Sequence, residues 1–346
     1  MPRSFRARLA LAVVARRLPA LVAGDPVARL GDGLHVAVVG SGSPLTDARR
    51  GNPCAAVIAG GRIFVIDAGE RSAETMGRMQ LAFERVEAVL LTHFHSDHIG
   101  GLGTVNLQRW VADAADRPLR VIGPPGVERV VAGFNEAYAL DNGYRIAHHG
   151  PEVVRPSGAG MAAEPFSFAE GEDSQVVLDQ DGLKVTAFLV DHTPVAPAVG
   201  YRFDYRGRSA VISGDTVYSP TLVRVSQGAD LLLHDALSPE LLGLVAEAAA
   251  KAGMRTRSKI LGDVPDYHAT APQAAEAARE ARVGALAITH VIPPLPLKGL
   301  EEIFLADAAQ RYSGPLWLAR DGDLYGLSTG ATGVERSRLL RRGPGG

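Results

Sequence analysis

The apolar positions of this chain fall into short continuous runs separated by glycine, proline or charge. Residues 35–39, 55–58, 63–66, 89–91 and 119–122 are the first such runs. Runs of that length predict strands covered on both faces rather than helices. Gly60-Gly61 between the second and third predicts a hairpin. A later group predicts strands at residues 176–178, 183–190, 198–205, 209–213, 231–233 and 285–289, and a last hairpin over 316–327 that turns at Asp321-Gly322. Helical spacing lies between them. It predicts helices over 73–84 with Ser72 as cap, 103–115, 126–138 just after Pro124-Pro125, 239–252, 271–282 and 301–312. Each half runs strands first, then mixed strands and helices, without an exact repeat. Two facing sheets with helices outside would bury all of these strands, so the predicted class is α/β (α+β), in layers.

Three stretches fall outside the pattern. Residues 141–171 are rich in glycine, proline and small residues and contain His148-His149; they read as a loop or flap over a site. Residues 1–30 carry Arg3, Arg6, Arg8, Arg16 and Arg17 ahead of the first acid, Asp25. Their apolar run, residues 9–15, is cut by Arg16-Arg17, far short of a membrane span. Leu11, Val14, Leu18, Leu21 and Val22 are near helical spacing, which predicts an amphipathic helix on the protein or at a membrane surface. Residues 331–346 read as a basic tail with Arg336, Arg338, Arg341 and Arg342. A single core domain is therefore expected over 31–330.

Bulk composition narrows the chemistry. The 346 residues carry 36 Lys and Arg against 38 Asp and Glu, a net charge of -2, which gives no whole-molecule field to attract nucleic acid. The one cysteine, Cys54, excludes an internal disulfide and a thiolate-rich metal site. A metal must then rest on His, Asp and Glu. The strand at 89–91 opens directly onto His93, His95, Asp97 and His98, followed by Gly100-Gly101. Three imidazoles and a carboxylate are costly to gather without a cation, and this is the ligand mix zinc prefers. Further ligands should stand at other strand ends, where a rigid scaffold meets solvent. His192, Asp215 in Ser213-Gly-Asp-Thr216, and His290 meet that test. Each alone is more often structural; four strand-end sites, all His or Asp, form a pattern.

His93-x-His95-x-Asp97-His98, His192, Ser213-Gly-Asp215-Thr and Thr289-His290 together resemble the metallo-β-lactamase superfamily, most closely its tRNase Z and arylsulfatase-like branch. Gly40-Ser-Gly-Ser-Pro44, Ile66-Asp-Ala-Gly-Glu70 and Gly200-Tyr-Arg-Phe203 match that branch too. Leu233-His-Asp-Ala236 and Tyr267-His-Ala-Thr270 are similar to its paired motifs. The resemblance spans about residues 31–327. It implies a four-layer αββα sandwich with two zinc ions, manganese or iron being the alternatives. His93, His95 and His192 would hold the first ion and Asp97, His98 and His290 the second, with Asp215 as the bridge. A bridging hydroxide oriented by Asp97 would attack phosphorus or sulfur, and His268, poised by Asp235, would protonate the leaving group. Asp235 stands where the related enzymes carry glutamate.

The expected activity is hydrolysis of a phosphate or sulfate ester on a small anionic substrate. A tRNA 3′-processing endonuclease ranks second: many relatives carry an RNA-binding arm after the Gly-Tyr-Arg strand, and here only a hairpin with Gly207 spans that position. A lactonase or thioesterase and a non-catalytic metal-binding module complete the alternatives. A β-lactamase is disfavoured because those enzymes lack the bridging aspartate. His148, His149, Arg255 and Arg257 are candidate substrate contacts, the arginines in a loop leading to His268. The expected location is the cytoplasm, with membrane association or export through residues 1–30 as the alternative. A homodimer is compatible with these expectations.

Overall fold

The computed structural model describes residues 4–22, 24–112 and 115–340. The chain lays down one sheet, then a second, and returns to the first. β1 (Gly33–Gly40), β2 (Cys54–Ala59), β3 (Arg62–Ile66), β4 (Val86–Leu90), β5 (Leu119–Gly123) and β6 (Met161–Pro165) build the first. β7 (Ser174–Gln180), β8 (Leu183–His192), β9 (Val195–Tyr205), β10 (Arg208–Ile212), β11 (Leu231–Leu237), β12 (Ala285–Ile292) and β13 (Leu316–Leu318) build the second. β14 (Asp323–Ser328) and β15 (Glu335–Arg338) then cross back. The orders are β15-β14-β1-β2-β3-β4-β5-β6 and β13-β12-β11-β10-β9-β8-β7.

The continuous apolar runs have a simple cause: successive side chains point to opposite faces, and both faces are covered. In β1, Leu34, Val36 and Val38 face the core between the sheets that also holds Tyr201 and Phe203, while Ala37 and Val39 face the outer cluster that also holds Met76, Leu102 and Val127. Helices Ser72–Arg78, Leu102–Ala112 and Val127–His149 contribute to that outer layer. Helix Ala271–Glu280 lays Ala271, Ala274, Ala275 and Ala278 on the other sheet beside Leu232 and Ile288. The result is the four-layer αββα sandwich. Each fully buried Val, Leu or Ile here contributes about 1.5–3 kcal/mol, so the strand scaffold is stiff where the functional residues leave it.

Several local expectations are corrected. The helix predicted over 126–138 runs to His149, so residues 141–149 are helical and not part of a flap. Only Val127 and Val131 of that helix are buried, so its second half carries no apolar period. Pro151, Pro156 and Pro165, which prompt the loop reading, all follow Gly150, where the helix ends at φ 86°. The stretch then closes as β6, paired in parallel with β5. Residues 316–327 are not a hairpin, because β13 pairs with β12 and β14 with β1, in different sheets. The helix over 301–312 is broken into Leu300–Leu305 and Ala308–Arg311 by Ala306 at φ 46°. The helix over 73–84 stops at Arg78, and the Ser72 hydroxyl donates to the Gly69 carbonyl instead of capping. Part of the expected basic tail is β15, whose Arg336 and Arg338 face the buried Asp323. Arg341 and Arg342 lie outside the described residues, as does Arg3. Phe5–Val22 is one exposed helix.

Candidate metal centre

The stretch after β4 is an apolar strand end followed by the one-turn helix Ser96–Ile99. Two glycines let that turn seat. A Cβ on Gly101 would lie 2.2 Å from the Gly69 carbonyl oxygen, and one on Gly69 would lie 2.1 Å from the Asp97 carbonyl oxygen. The backbones instead exchange hydrogen bonds, Ala68 N to His98 O and Gly101 N to Ala68 O, both at 2.7 Å. The second sheet supplies the rest. His192 ends β8, Asp215 follows β10, and His290 lies in β12 at φ 45°.

These side chains converge. Asp215 Oδ2 is central, 3.1 Å from His98 Nε2 and from His290 Nε2, 3.8 Å from His93 Nε2 and 4.0 Å from His192 Nε2. His95 Nδ1 lies 3.0 Å from His93 Nε2 and 3.3 Å from His192 Nε2. His93, His95, His192 and Asp215 form one group of converging donor atoms, and Asp97, His98 and His290 form another. All but His95 are buried. Asp97 Oδ2 and His290 Nε2, 3.4 Å apart, make no hydrogen bond of proper geometry among the described residues. Buried acceptor atoms that face one another without partners are expensive. Cations between them remove that cost, so the donor set fits metal ions.

Outer partners fix which nitrogen faces inward. Asp67, at the end of β3, accepts from Thr92 N, from Thr92 Oγ1 and from His98 Nδ1, each at 2.8 Å. The Tyr267 carbonyl accepts from His192 Nδ1 at 2.9 Å. Each bond leaves Nε2 as the ligand atom and sets the ring plane. Sequence reasoning marks Asp67 only inside a matching motif, and Tyr267 not at all for this role. An acid directly after an apolar strand is the same signal that marks Asp215, and it would have found Asp67.

Charge reinforces the arrangement. Burial lowers His93 well below the usual imidazole range, with the neighbouring His98 adding to it. Burial also lowers His192. For His290 burial acts the same way, yet the carboxylates of Asp215 and Asp97 carry it up to about 10. His98 is likewise raised by Asp215, Asp67 and Asp97 against its burial. Burial would raise Asp215, but His290 and His98 hold it well below the carboxylate range. The carboxylate charge that raises these two rings also favours cations bound among them.

His268 joins this cluster. Its ring lies within the group formed with Asp215 and His290, and its Nδ1 is 2.9 Å from Asp235 Oδ2. Asp235, although shorter than glutamate, reaches it. The backbone around His268 is pinned by Ala269 N to Thr216 O at 2.7 Å and Leu237 N to Ala269 O at 2.8 Å. A pocket of about 230 Å³ opens beside Asp97, bordered by Asp47, Asn52, Glu70 and Arg71. The other candidates stand apart. His148 and His149 are exposed at the end of Val127–His149, with their rings against each other. Arg255 and Arg257 are exposed in the helix Arg255–Asp263 and not in a loop.

The metallo-beta-lactamase superfamily profile matches residues 49–289. The chain belongs to the metallo-beta-lactamase superfamily. Within it the chain is similar to the ribonuclease Z of Mycobacterium sp. (strain KMS), 37% identical over 289 residues, covering 83% of this chain and 94% of that protein. It is 36% identical over 290 residues to the ribonuclease Z of Mycobacterium avium (strain 104), covering 83% and 96%. Among solved structures, the fold is shared with the metallo-beta-lactamase fold protein YhfI from Bacillus subtilis, with TM-score 0.60, 17% identity and coverage of 85% and 100%. It is also shared with the short form of human tRNase Z, with TM-score 0.59, 20% identity and coverage of 84% and 98%. This superfamily member is a metal-dependent hydrolase acting on ester bonds.

Proposed function

We propose that the protein is a ribonuclease Z-like endonuclease that hydrolyses a phosphodiester near the 3′ end of tRNA precursors, with two zinc ions as its metals. The observation that carries this is the Asp235-held His268 beside Asp215 and His290, in a chain matched over nearly the whole length of ribonuclease Z relatives. The order expected from the sequence puts small esters first and RNA second; these relatives support the second of the two. Net charge argues against RNA, but it is a sum over the chain and says nothing about the field at one edge.

His93, His95, His192 and Asp215 would hold one ion, and Asp97, His98, His290 and Asp215 the other. Ions held there would supply an acidified water and would offset charge on the phosphoryl oxygens. The protein's own groups do the rest. Asp97 Oδ2, buried and without a hydrogen bond of its own, accepts from the attacking water and orients it. As water oxygen bonds to phosphorus, the bond to the leaving ribose oxygen breaks. His268 donates a proton from Nε2 to that oxygen, and Asp235 at Nδ1 holds the ring in position for it.

Hydrolysis of a small phosphodiester or an aryl sulfate is the second reading. One feature favours it: β9 and β10 are joined only through Arg206-Gly207, so no arm extends there. The test is cleavage by metal-loaded protein of a precursor tRNA, bis-nitrophenyl phosphate, nitrophenyl sulfate and a homoserine lactone, each with a chelated control. Precursor cleavage at the 3′ side that is lost on chelation and restored by zinc is expected. Faster turnover of sulfate or lactone than of RNA refutes the proposal.

A further inference from the structure

Among the described residues, none that converges at the metal centre comes from the first helix, Phe5–Val22. Its side chains through Leu18 are almost entirely uncovered: Leu9 is 56% exposed, Leu11 49%, Val14 51% and Leu18 45%. At 3.6 residues per turn, Ala7, Leu11, Val14 and Leu18 form one stripe. Arg6, Arg8, Arg16 and Arg17 lie around the opposite side, with Phe5, Leu9 and Val13 between them. The helix contains no acidic residue. An uncovered apolar stripe on a helix whose only charges are arginines matches an anionic lipid surface, whose acyl boundary takes the stripe and whose headgroups take the guanidinium groups. An RNA duplex would use the arginines but leave the leucines in water. No helix among the described residues is long and apolar enough to cross a membrane, so the geometry is that of lying on a surface.

We propose that Phe5–Val22 is a peripheral membrane anchor that docks the enzyme on anionic bilayers. Long arginine side chains can bend past Phe5, Leu9 and Val13, so that these residues dip into the interface as well. The assignment is independent of which ester the metal centre cleaves.

The experiment is co-sedimentation of the full chain with vesicles of phosphatidylcholine alone or mixed equally with phosphatidylglycerol. Binding to the mixed vesicles and little to the neutral ones is expected. Raising salt from 0.1 to 1 M shortens the screening length from about 10 to about 3 Å and should release most of the protein. Replacing Arg6, Arg8, Arg16 and Arg17 by Gln should weaken partitioning about fivefold for each arginine. The triple variant Leu11→Asp, Val14→Asp, Leu18→Asp should lose binding at any salt. Both variants should keep wild-type melting midpoints and metal content, which separates loss of docking from loss of folding. Full-chain protein remaining in the supernatant with anionic vesicles overturns the proposal. So does a triple Asp variant that sediments like wild type. Displacement from vesicles by RNA, with RNA affinity lost in the Arg variant and kept in the Asp variant, reassigns the helix to nucleic acid. A dimer in sedimentation velocity that only the Asp variant dissolves gives the stripe to a second copy and also overturns it.

Discussion

Asp67 touches no ion in the proposed centre, yet two replacements of it should separate two of its tasks. In Asp67→Asn the oxygen facing Thr92 N is kept, and an amide nitrogen replaces the oxygen that faces Thr92 Oγ1 and His98 Nδ1 at 2.8 Å each. That nitrogen can only donate. His98 Nδ1 must then accept, and the ring proton moves to Nε2, the atom 3.1 Å from Asp215 Oδ2 that should face an ion. Restoring the ligand tautomer would set N–H against N–H, an unsatisfied buried donor costing about 1–3 kcal/mol. The expected loss of metal affinity is therefore about 5- to 150-fold, in the range typical for outer partners of metal ligands. Asp67→Ala behaves differently. It removes three hydrogen bonds, about 3 kcal/mol of stability at about 1 kcal/mol each, but leaves His98 free to choose its tautomer. The Asp67→Asn variant should be the weaker metal binder and the Asp67→Ala variant the less stable fold. Competition against a chromophoric chelator reads the first, and urea unfolding of metal-stripped protein reads the second. An Asp67→Asn protein that binds zinc as tightly as wild type would refute the tautomer argument, whatever its stability.

Other outcomes follow from the same geometry. His268→Ala should lower kcat by about 10²- to 10⁴-fold with metal content unchanged, since the residue supplies a proton and holds no ion; a parallel loss of metal would place it among the ligands. Asp235→Asn should lower kcat in the same direction with metal content unchanged, because the His268 ring loses the carboxylate that orients it at Nδ1. Gly101→Ala sets a Cβ 2.2 Å from the Gly69 carbonyl oxygen, and the forced backbone shift should cost about 1–3 kcal/mol in denaturant unfolding. Burial pushes the Cys54 thiol up to about 12. The unfolded chain ionises this thiol near 9. The native state, which keeps it protonated, therefore loses stability relative to the unfolded chain as pH rises from about 9 toward about 12. Native protein should resist Ellman's reagent at pH 8 and react once unfolded; rapid native reaction would contradict the packing of β2.

What the sequence disclosed depended on how local the cause was. A strand buried on both faces is a local fact, and β1, β4, β10 and β12 were legible from their apolar runs. The donor residues that converge were legible because they stand at the ends of those runs or, for His192, at the end of β8. The second half of Val127–His149 was not, since a helix that buries only its first turns carries no apolar period there. Asp321-Gly322 marked a turn correctly as a change of direction. No turn signal tells which sheet receives the next strand, and there the chain passes from β13 to β14 across the sandwich. Substrate class was hardest to read: it rests on surfaces around the metal centre, and a charge total does not locate them.

The return of β14 to the first sheet places the two ends of the sandwich side by side, with Gly33 opposite Ser328. A linker long enough to run from the end of β15, opposite Asp323, back along β14 to Gly33, with new termini opened between Pro165 and Ser174, would turn the protein into a circular permutant whose sheets are each written in one uninterrupted stretch. The donor groups would divide along the same line. His93, His95, Asp97 and His98 would go with one piece, and His192, Asp215 and His290 with the other. Severed rather than relinked, neither piece could close its own coordination sphere. The ions would then act as a rivet, and zinc-dependent reassembly of two inert fragments would become the readout of the centre.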